Sequence, residues 1–319
     1  MNFHSRAQQS DRLNLLWLEL TSKCNLECVH CYADSGPGNP LHEAMTFADW
    51  ERALAEAANL GCRNVQFIGG EPTLYPRLAE LVAWARTCEF KMIEVYTNGL
   101  HFTPLLRDAF VKHQVHLAFS VYSSEAPVHD AITKRKNSWV RTIDSIRWTL
   151  AAGLPARVGI IDMDLNNGHI EQTREFLAGL GVRDAKPDRV RGIGRGAHMR
   201  PAQSPYHELC GQCLNGRLCV TASGQIYPCV FSRFSPVGVF ANGLHTAVRS
   251  SALRDFKIGL RSTLALTRPG YRDDYSPEEP ACGPDPCNPE TPPDPCRPEI
   301  DPGPCTPEIP HVCNPELKS

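Results

Sequence analysis

Six short candidate strands, five of them largely apolar, separated by segments whose apolar residues recur three and four apart, constrain this chain more than any other feature. The runs are Leu15 to Leu20, Asn64 to Ile68, Met92 to Thr97, His116 to Val121, Arg157 to Ile161 and Lys186 to Val190. The helical patterns between them cover Phe47 to Asn59, Leu78 to Thr87, Pro104 to Lys112, Val140 to Ala152 and Ile170 to Leu180. Such alternation predicts an α/β fold built on a parallel sheet, because parallel neighbours need a crossover and crossovers are right-handed. Ligands of these sheets gather at the carboxyl ends of the strands, so chemistry is expected in the loops that follow the runs.

The first run opens into Thr21-Ser22-Lys23-Cys24-Asn25-Leu26-Glu27-Cys28-Val29-His30-Cys31-Tyr32. The chain holds fourteen cysteines, no signal-peptide core and no apolar window long enough to cross a membrane, so a cytoplasmic protein with reduced thiols is expected. Three thiolates can hold three irons of a [4Fe-4S] cubane and leave the fourth iron open. Two competing readings stand beside this one. The thiols could be buried structural groups, or zinc ligands; zinc, however, wants four donors, and His30, between two of the cysteines, has little reach to a shared metal.

The second run leads into Gly69-Gly70-Glu71-Pro72. Two glycines let backbone approach a ligand closely, and Glu71 offers an acceptor suited to an ammonium group. With C-x3-C-x2-C after one strand and this segment after the next, the chain resembles the radical S-adenosylmethionine superfamily over roughly residues 12 to 200. The resemblance implies a partial (β/α)6 TIM barrel, assigned here to residues 1–200. It implies that Cys24, Cys28 and Cys31 ligate a [4Fe-4S] cluster whose open iron takes S-adenosylmethionine. Gly69, Gly70, Glu71 and Pro72 would hold the methionyl amine, and the ring of His30 or Tyr32 would border the adenine. Later strand ends at Thr97-Asn98-Gly99, Ser120 and Gly192-Ile193-Gly194 would contact ribose, carboxylate and adenine. An external electron donor is implied, with reductive cleavage to a 5′-deoxyadenosyl radical that takes hydrogen from a substrate.

A second set of cysteines follows at Cys210, Cys213, Cys219 and Cys229. Alternating residues around Ser223-Gly224 predict a β-hairpin with thiols at its rim. Cys213-x10-Gly224-x4-Cys229 resembles the opening of SPASM or twitch domains, which implies one auxiliary [4Fe-4S] cluster over residues 201–266; zinc is the alternative. Cys219 lies mid-strand, where a ligand role and a core role compete. Cys62 and Cys88 are read as small buried hydrophobes, and His42, His116 and His245 as structural. Asp162 and Asp164 are expected near the barrel mouth.

Residues 267–319 differ from the rest. They carry fifteen of the 27 prolines, five cysteines, four Lys/Arg and eleven Asp/Glu, a charge of −7 that leaves the first 266 residues at +5. That body charge, without a basic cluster, is too thin for nucleic acid. Seven apolar side chains cannot offset the entropy of ordering such a tail, so it is expected to be disordered. Within it Cys-x-Pro-acid recurs at Cys287, Cys296, Cys305 and Cys313, with Cys282 a looser copy. Three roles compete: a metal-responsive appendage, a lender of an auxiliary ligand such as Cys282, and a tethered substrate mimic.

The appended domain favours a ribosomally made peptide as substrate; a small sugar or aminoglycoside is the alternative. Fourteen residues precede the first run, too few for a fused leader-recognition domain, so a separate peptide-recognition protein or direct capture is expected. A non-catalytic iron-sulfur or zinc carrier is the third reading, and Gly69-Gly70-Glu71-Pro72 argues against it.

Overall fold

The structure, a computed structural model, describes residues 12–202 and 204–267. Its strands are β1 (Leu15–Glu19), β2 (Asn64–Ile68), β3 (Met92–Thr97), β4 (His116–Ser120), β5 (Ala156–Asp162), β6 (Asp184–Arg189), β7 (Arg217–Val220), β8 (Gln225–Tyr227) and β9 (Gly238–Val239). Helices α1 (Phe47–Asn59), α2 (Leu78–Thr87), α3 (Pro104–Lys112), α4 (Ala126–Thr133), α5 (Ser138–Ala151) and α6 (Ile170–Leu180) connect the first six. A short α7 (Gly196–Met199), α8 (Leu244–Val248) and the terminal α9 (Ser251–Thr267) complete the described residues. All six expected strands and all five expected helices are present, with ends shifted by two residues at most. Helix α4 is an addition. Its eight residues contain a proline and span little more than two turns, too short a stretch to announce a helical period.

The sheet runs β6-β5-β4-β3-β2-β1-β7-β8-β9, and every pairing from β6 to β7 is parallel. Its six βα units form the expected partial barrel. The predicted hairpin is β7–β8, turning at Gly224 with φ +80°. Its first strand pairs in parallel with β1, so the hairpin extends the barrel sheet.

Alternation along the strands sorts the two faces. Val65, Phe67, Ile93, Val95, Leu117 and Phe119 are wholly buried on the helix-facing side. The opposite face lines the barrel interior and is polar: Trp17, Gln66 and Glu94 stand in one register, and Arg157 pairs beside Ala118. Arg157 spans that small residue to grip Glu94 through two hydrogen bonds, 2.8 and 2.9 Å, and Gln66 donates to the same carboxylate. Asp162 shares the face of Val158 and Ile160, opposite Arg157 and Gly159, and is exposed. It therefore does not point into the mouth, contrary to expectation. The tail's Cys-x-Pro-acid repeats lie outside the described residues.

Candidate functional site

The loop carrying Cys24, Cys28 and Cys31 leaves the carboxyl end of β1 and is tied down from several directions. The last carbonyls of α4 accept from it, Glu27 N to Thr133 O at 3.2 Å and Val29 N to Ile132 O at 3.0 Å. These are carbonyls that a helix end leaves unsatisfied. From beyond β6, Arg195 N donates to Cys31 O at 3.0 Å, and its guanidinium reaches Cys28 O at 2.8 Å and Ser35 O at 2.6 Å. Gly194, at φ +55°, lets that segment lie on the loop: a Cβ there would stand 2.5 Å from the carbonyl oxygens of Cys31 and Tyr32.

Gly69 and Gly70 serve the same loop. A Cβ on Gly69 would fall 2.5 Å from Thr21 O and one on Gly70 2.2 Å from Lys23 O. The close approach they permit is thus between two loops, sealed by Gly70 N to Thr21 O (2.7 Å) and Glu71 N to Lys23 O (2.9 Å). Pro72 is buried and opens a short 3-10 turn. Glu71 is wholly buried. Its Oε1 accepts from Thr73 N (3.1 Å), Thr73 Oγ1 (2.6 Å) and Thr97 Oγ1 (2.6 Å), and its Oε2 from Asn98 N (2.8 Å). Burial raises its pKa, against the pull of these donors. Asn98 Nδ2 in turn donates to Asn25 Oδ1 at 2.6 Å and lies 3.7 Å from Cys24 Sγ, which also accepts from Leu26 N at 3.4 Å. Glu71, Thr97 and Asn98 therefore form one network that ends on a cysteine sulfur.

Cys24 is buried, and Cys28 and Cys31 are half-buried. Burial, then the charge of Glu71, pushes the Cys24 thiol up to about 12; burial, then Cys31 and Cys24, raises Cys28. Two thiols of the loop, Cys24 and Cys28, that resist ionising suit a strongly cationic centre that would hold them as thiolates. Among the described residues no three His, Cys, Asp or Glu side chains gather as a single metal ion requires. A cubane asks for no common focus, since each iron takes one thiolate. The thiol set fits that group.

The neighbouring rings are divided. His30 meets Tyr122 edge-on with centroids 4.7 Å apart; its Nδ1 is buried with no hydrogen-bond partner among the described residues, and burial lowers its pKa to about 4. Tyr32 turns to Phe231, 5.1 Å away, with Arg233 at 5.8 Å. Ser120 ends β4, half-buried. A cavity of about 150 Å³ opens between Thr21, Gly69-Gly70 and the Thr221–Ser223 turn, with Glu19 and Arg233 on its wall.

Of the second group, the Cys213 thiol is hydrogen-bonded to Cys210 and to Cys229. Cys219 stands on β7 facing the interior, wholly buried, with its thiol hydrogen-bonded to Glu19 beside Arg233; burial, then Glu19, raises its pKa. Sequence reasoning missed α4, Arg195, Glu19, Arg233 and Tyr122. A lone arginine 167 residues from the carbonyl it holds carries no local signal.

Residues 18–177 match the family model of the Radical SAM superfamily. The chain belongs to the radical SAM superfamily. Membership implies a [4Fe-4S] cluster and S-adenosylmethionine as cofactors. Among its relatives, the radical SAM chain is 28% identical over 187 residues to the antilisterial bacteriocin subtilosin biosynthesis protein AlbA of Bacillus subtilis, covering 56% of this chain and 40% of AlbA. It is 31% identical over 166 residues to the PqqA peptide cyclase of Rhodopseudomonas palustris, covering 48% and 40%. It spans less than half the length of these curated relatives. The fold is shared with SuiB of Streptococcus suis bound to precursor peptide SuiA, at 13% identity, TM-score 0.67, and 79% and 69% coverage. No helix among the described residues is long and apolar enough to cross a membrane.

Proposed function

We propose that this radical SAM chain matures a ribosomally made peptide in the cytoplasm, with Cys24, Cys28 and Cys31 holding the cluster and leaving one iron for S-adenosylmethionine. When bound, that pair of cofactors supplies a 5′-deoxyadenosyl radical on receipt of one electron from an external donor, and the radical takes a hydrogen atom from the substrate. The observation that carries the reading is the junction of two loops: the thiols of one and the Gly69–Pro72 segment of the other are sealed together, with Glu71, Thr97 and Asn98 joining them. The chain's own residues then act by placement. Gly69 and Gly70 bring main chain beside the cysteine loop, where the methionyl amine would lie; Glu71 keeps that segment and Asn98 in fixed relation. Tyr32 and Ser120 flank the space for the nucleoside.

The core is assigned to residues 1–200 and an auxiliary cluster domain of twitch type to residues 201–266. Cys210, Cys213 and Cys229 hold the auxiliary cluster, with Cys219 or a further thiol as its fourth ligand. AlbA, the PqqA cyclase and SuiB with its precursor peptide support a peptide substrate, captured directly or delivered by a separate recognition protein.

Anaerobic reconstitution, reduction and addition of S-adenosylmethionine tests the reading. 5′-Deoxyadenosine is expected from the native chain and none from Cys28→Ala; equal yields would overturn it. A short peptide encoded beside this chain should change mass under the same conditions, and conversion of a sugar in its place would refute the substrate class.

A further inference from the structure

The cavity beside Gly69-Gly70 contains a buried hydroxyl that no other described residue uses. Ser35 is 2% exposed and lines the cavity, and its Oγ is buried with no hydrogen-bond partner among the described residues. Its main chain is pinned: the Arg195 guanidinium donates to Ser35 O at 2.6 Å, and Gly36 O accepts from Cys24 N at 3.1 Å. Another wall carries Glu19, at the end of β1 and buried, in an ion pair with Arg233. That guanidinium is fixed in turn, its Nε donating to Val230 O at 3.0 Å and its carbon lying 5.4 Å from the ring of Tyr227. The hairpin turn closes the cavity, with the hydroxyls of Thr221 and Ser223 bonded to each other at 2.9 Å and Ala222 O accepting from Met45 N at 3.0 Å.

These walls select an occupant. A buried hydroxyl without a partner is costly, and an ion pair covered by an apolar group loses its water and gains no bond. An aliphatic or aromatic group would incur both costs. A carboxylate would meet Glu19 and the exposed Glu43, and an ammonium would meet the Arg233 guanidinium. A neutral group that both donates and accepts can serve Ser35 Oγ and the ion pair together. At about 150 Å³ the cavity is well below the pockets that enclose whole drug-sized molecules and suits a single side chain.

We propose that this cavity receives a hydroxyl- or amide-bearing side chain of the substrate peptide, hydrogen-bonded by Ser35 and by the Glu19–Arg233 pair. This rests on the reading of the chain as a peptide-maturing enzyme and names the class of residue it accepts. Because Gly69-Gly70 forms part of the wall, a side chain seated there lies beside the segment assigned to S-adenosylmethionine.

The test titrates blocked tripeptides into the reconstituted full chain, with and without S-adenosylmethionine, followed by saturation-transfer NMR. Acetyl-Gly-Ser-Gly-amide and acetyl-Gly-Asn-Gly-amide should bind about tenfold tighter than acetyl-Gly-Ala-Gly-amide, since the alanine probe leaves Ser35 unbonded. Ser35→Ala should shrink that preference to about threefold, the ion pair still serving the polar probes. Equal affinities for the three probes in the native chain, or none for any, overturn the proposal. So does an unchanged preference in folded Ser35→Ala; if that variant fails to fold, the native preference decides alone. Displacement of the probes by S-adenosylmethionine would assign the cavity to the cofactor and also overturn it. A native chain that yields no 5′-deoxyadenosine on reduction defeats the underlying reading instead.

Discussion

The loop of Cys24, Cys28 and Cys31 is held by residues remote in the chain: helix α4, the β6–α7 segment, and the ends of β2 and β3. Cys210, Cys213 and Cys229 are held by one another and by near neighbours, as where Ser232 Oγ accepts from Cys229 N at 2.9 Å. The first arrangement fixes a thiol-bearing loop by main-chain bonds from elements outside it, which costs scaffold. The second closes on itself. An open site needs outside support, and a closed one needs only proximity.

The largest separation between the two groups should come from the thiols themselves. If the second group holds the cluster proposed above, Cys28→Ala should abolish 5′-deoxyadenosine formation while that group keeps its iron, and Cys213→Ser should do the reverse in Mössbauer spectra. Loss of all cluster iron in either variant would show that the groups are one unit. Next, Arg195→Ala removes two charge-assisted bonds to loop carbonyls and should lower stability by about 3–4 kcal/mol in urea titrations. No comparable single residue is expected for the second group.

Acid should distinguish them as well. Burial lowers the pKa of His129 from 6.5 to about 4. At pH 8 the imidazole is neutral folded and unfolded, so it contributes no difference. As pH falls through 6.5 the unfolded chain takes a proton that the folded chain refuses until about 4, and stability declines by about 3 kcal/mol across that window. His129→Gln should flatten that part of the curve of unfolding free energy against pH; an unaltered slope would exclude the residue. Smallest, Gly70→Ala sets a Cβ 2.2 Å from Lys23 O and should cost about 1–3 kcal/mol by thermal unfolding.

The strands and most helices were legible because their apolar period is local: β2, β3, α1, α2, α3 and α6 fall where the pattern places them. The cysteine spacing and Gly69-Gly70-Glu71-Pro72 were legible for the same reason. The use of the two glycines was not, since what crowds them is Thr21 and Lys23, reached only once β1 and β2 pair. Cys219 was ambiguous because its outcome depends on what β1 brings to its thiol, and that is Glu19, two residues along from its register partner Trp17. Tyr122, His129 and Arg195 act across gaps in sequence that no short window can see.

One pairing has a mechanical consequence. Since β7 runs beside β1 with Leu15 opposite Arg217 and Trp17 opposite Cys219, Cys219 is bolted to the very strand that delivers the first thiol loop. Its place beside Glu19 is then a property of ladder register, as fixed as teeth on meshed gears. A slip of one tooth would swing Cys219 to the helix side and part it from that carboxylate.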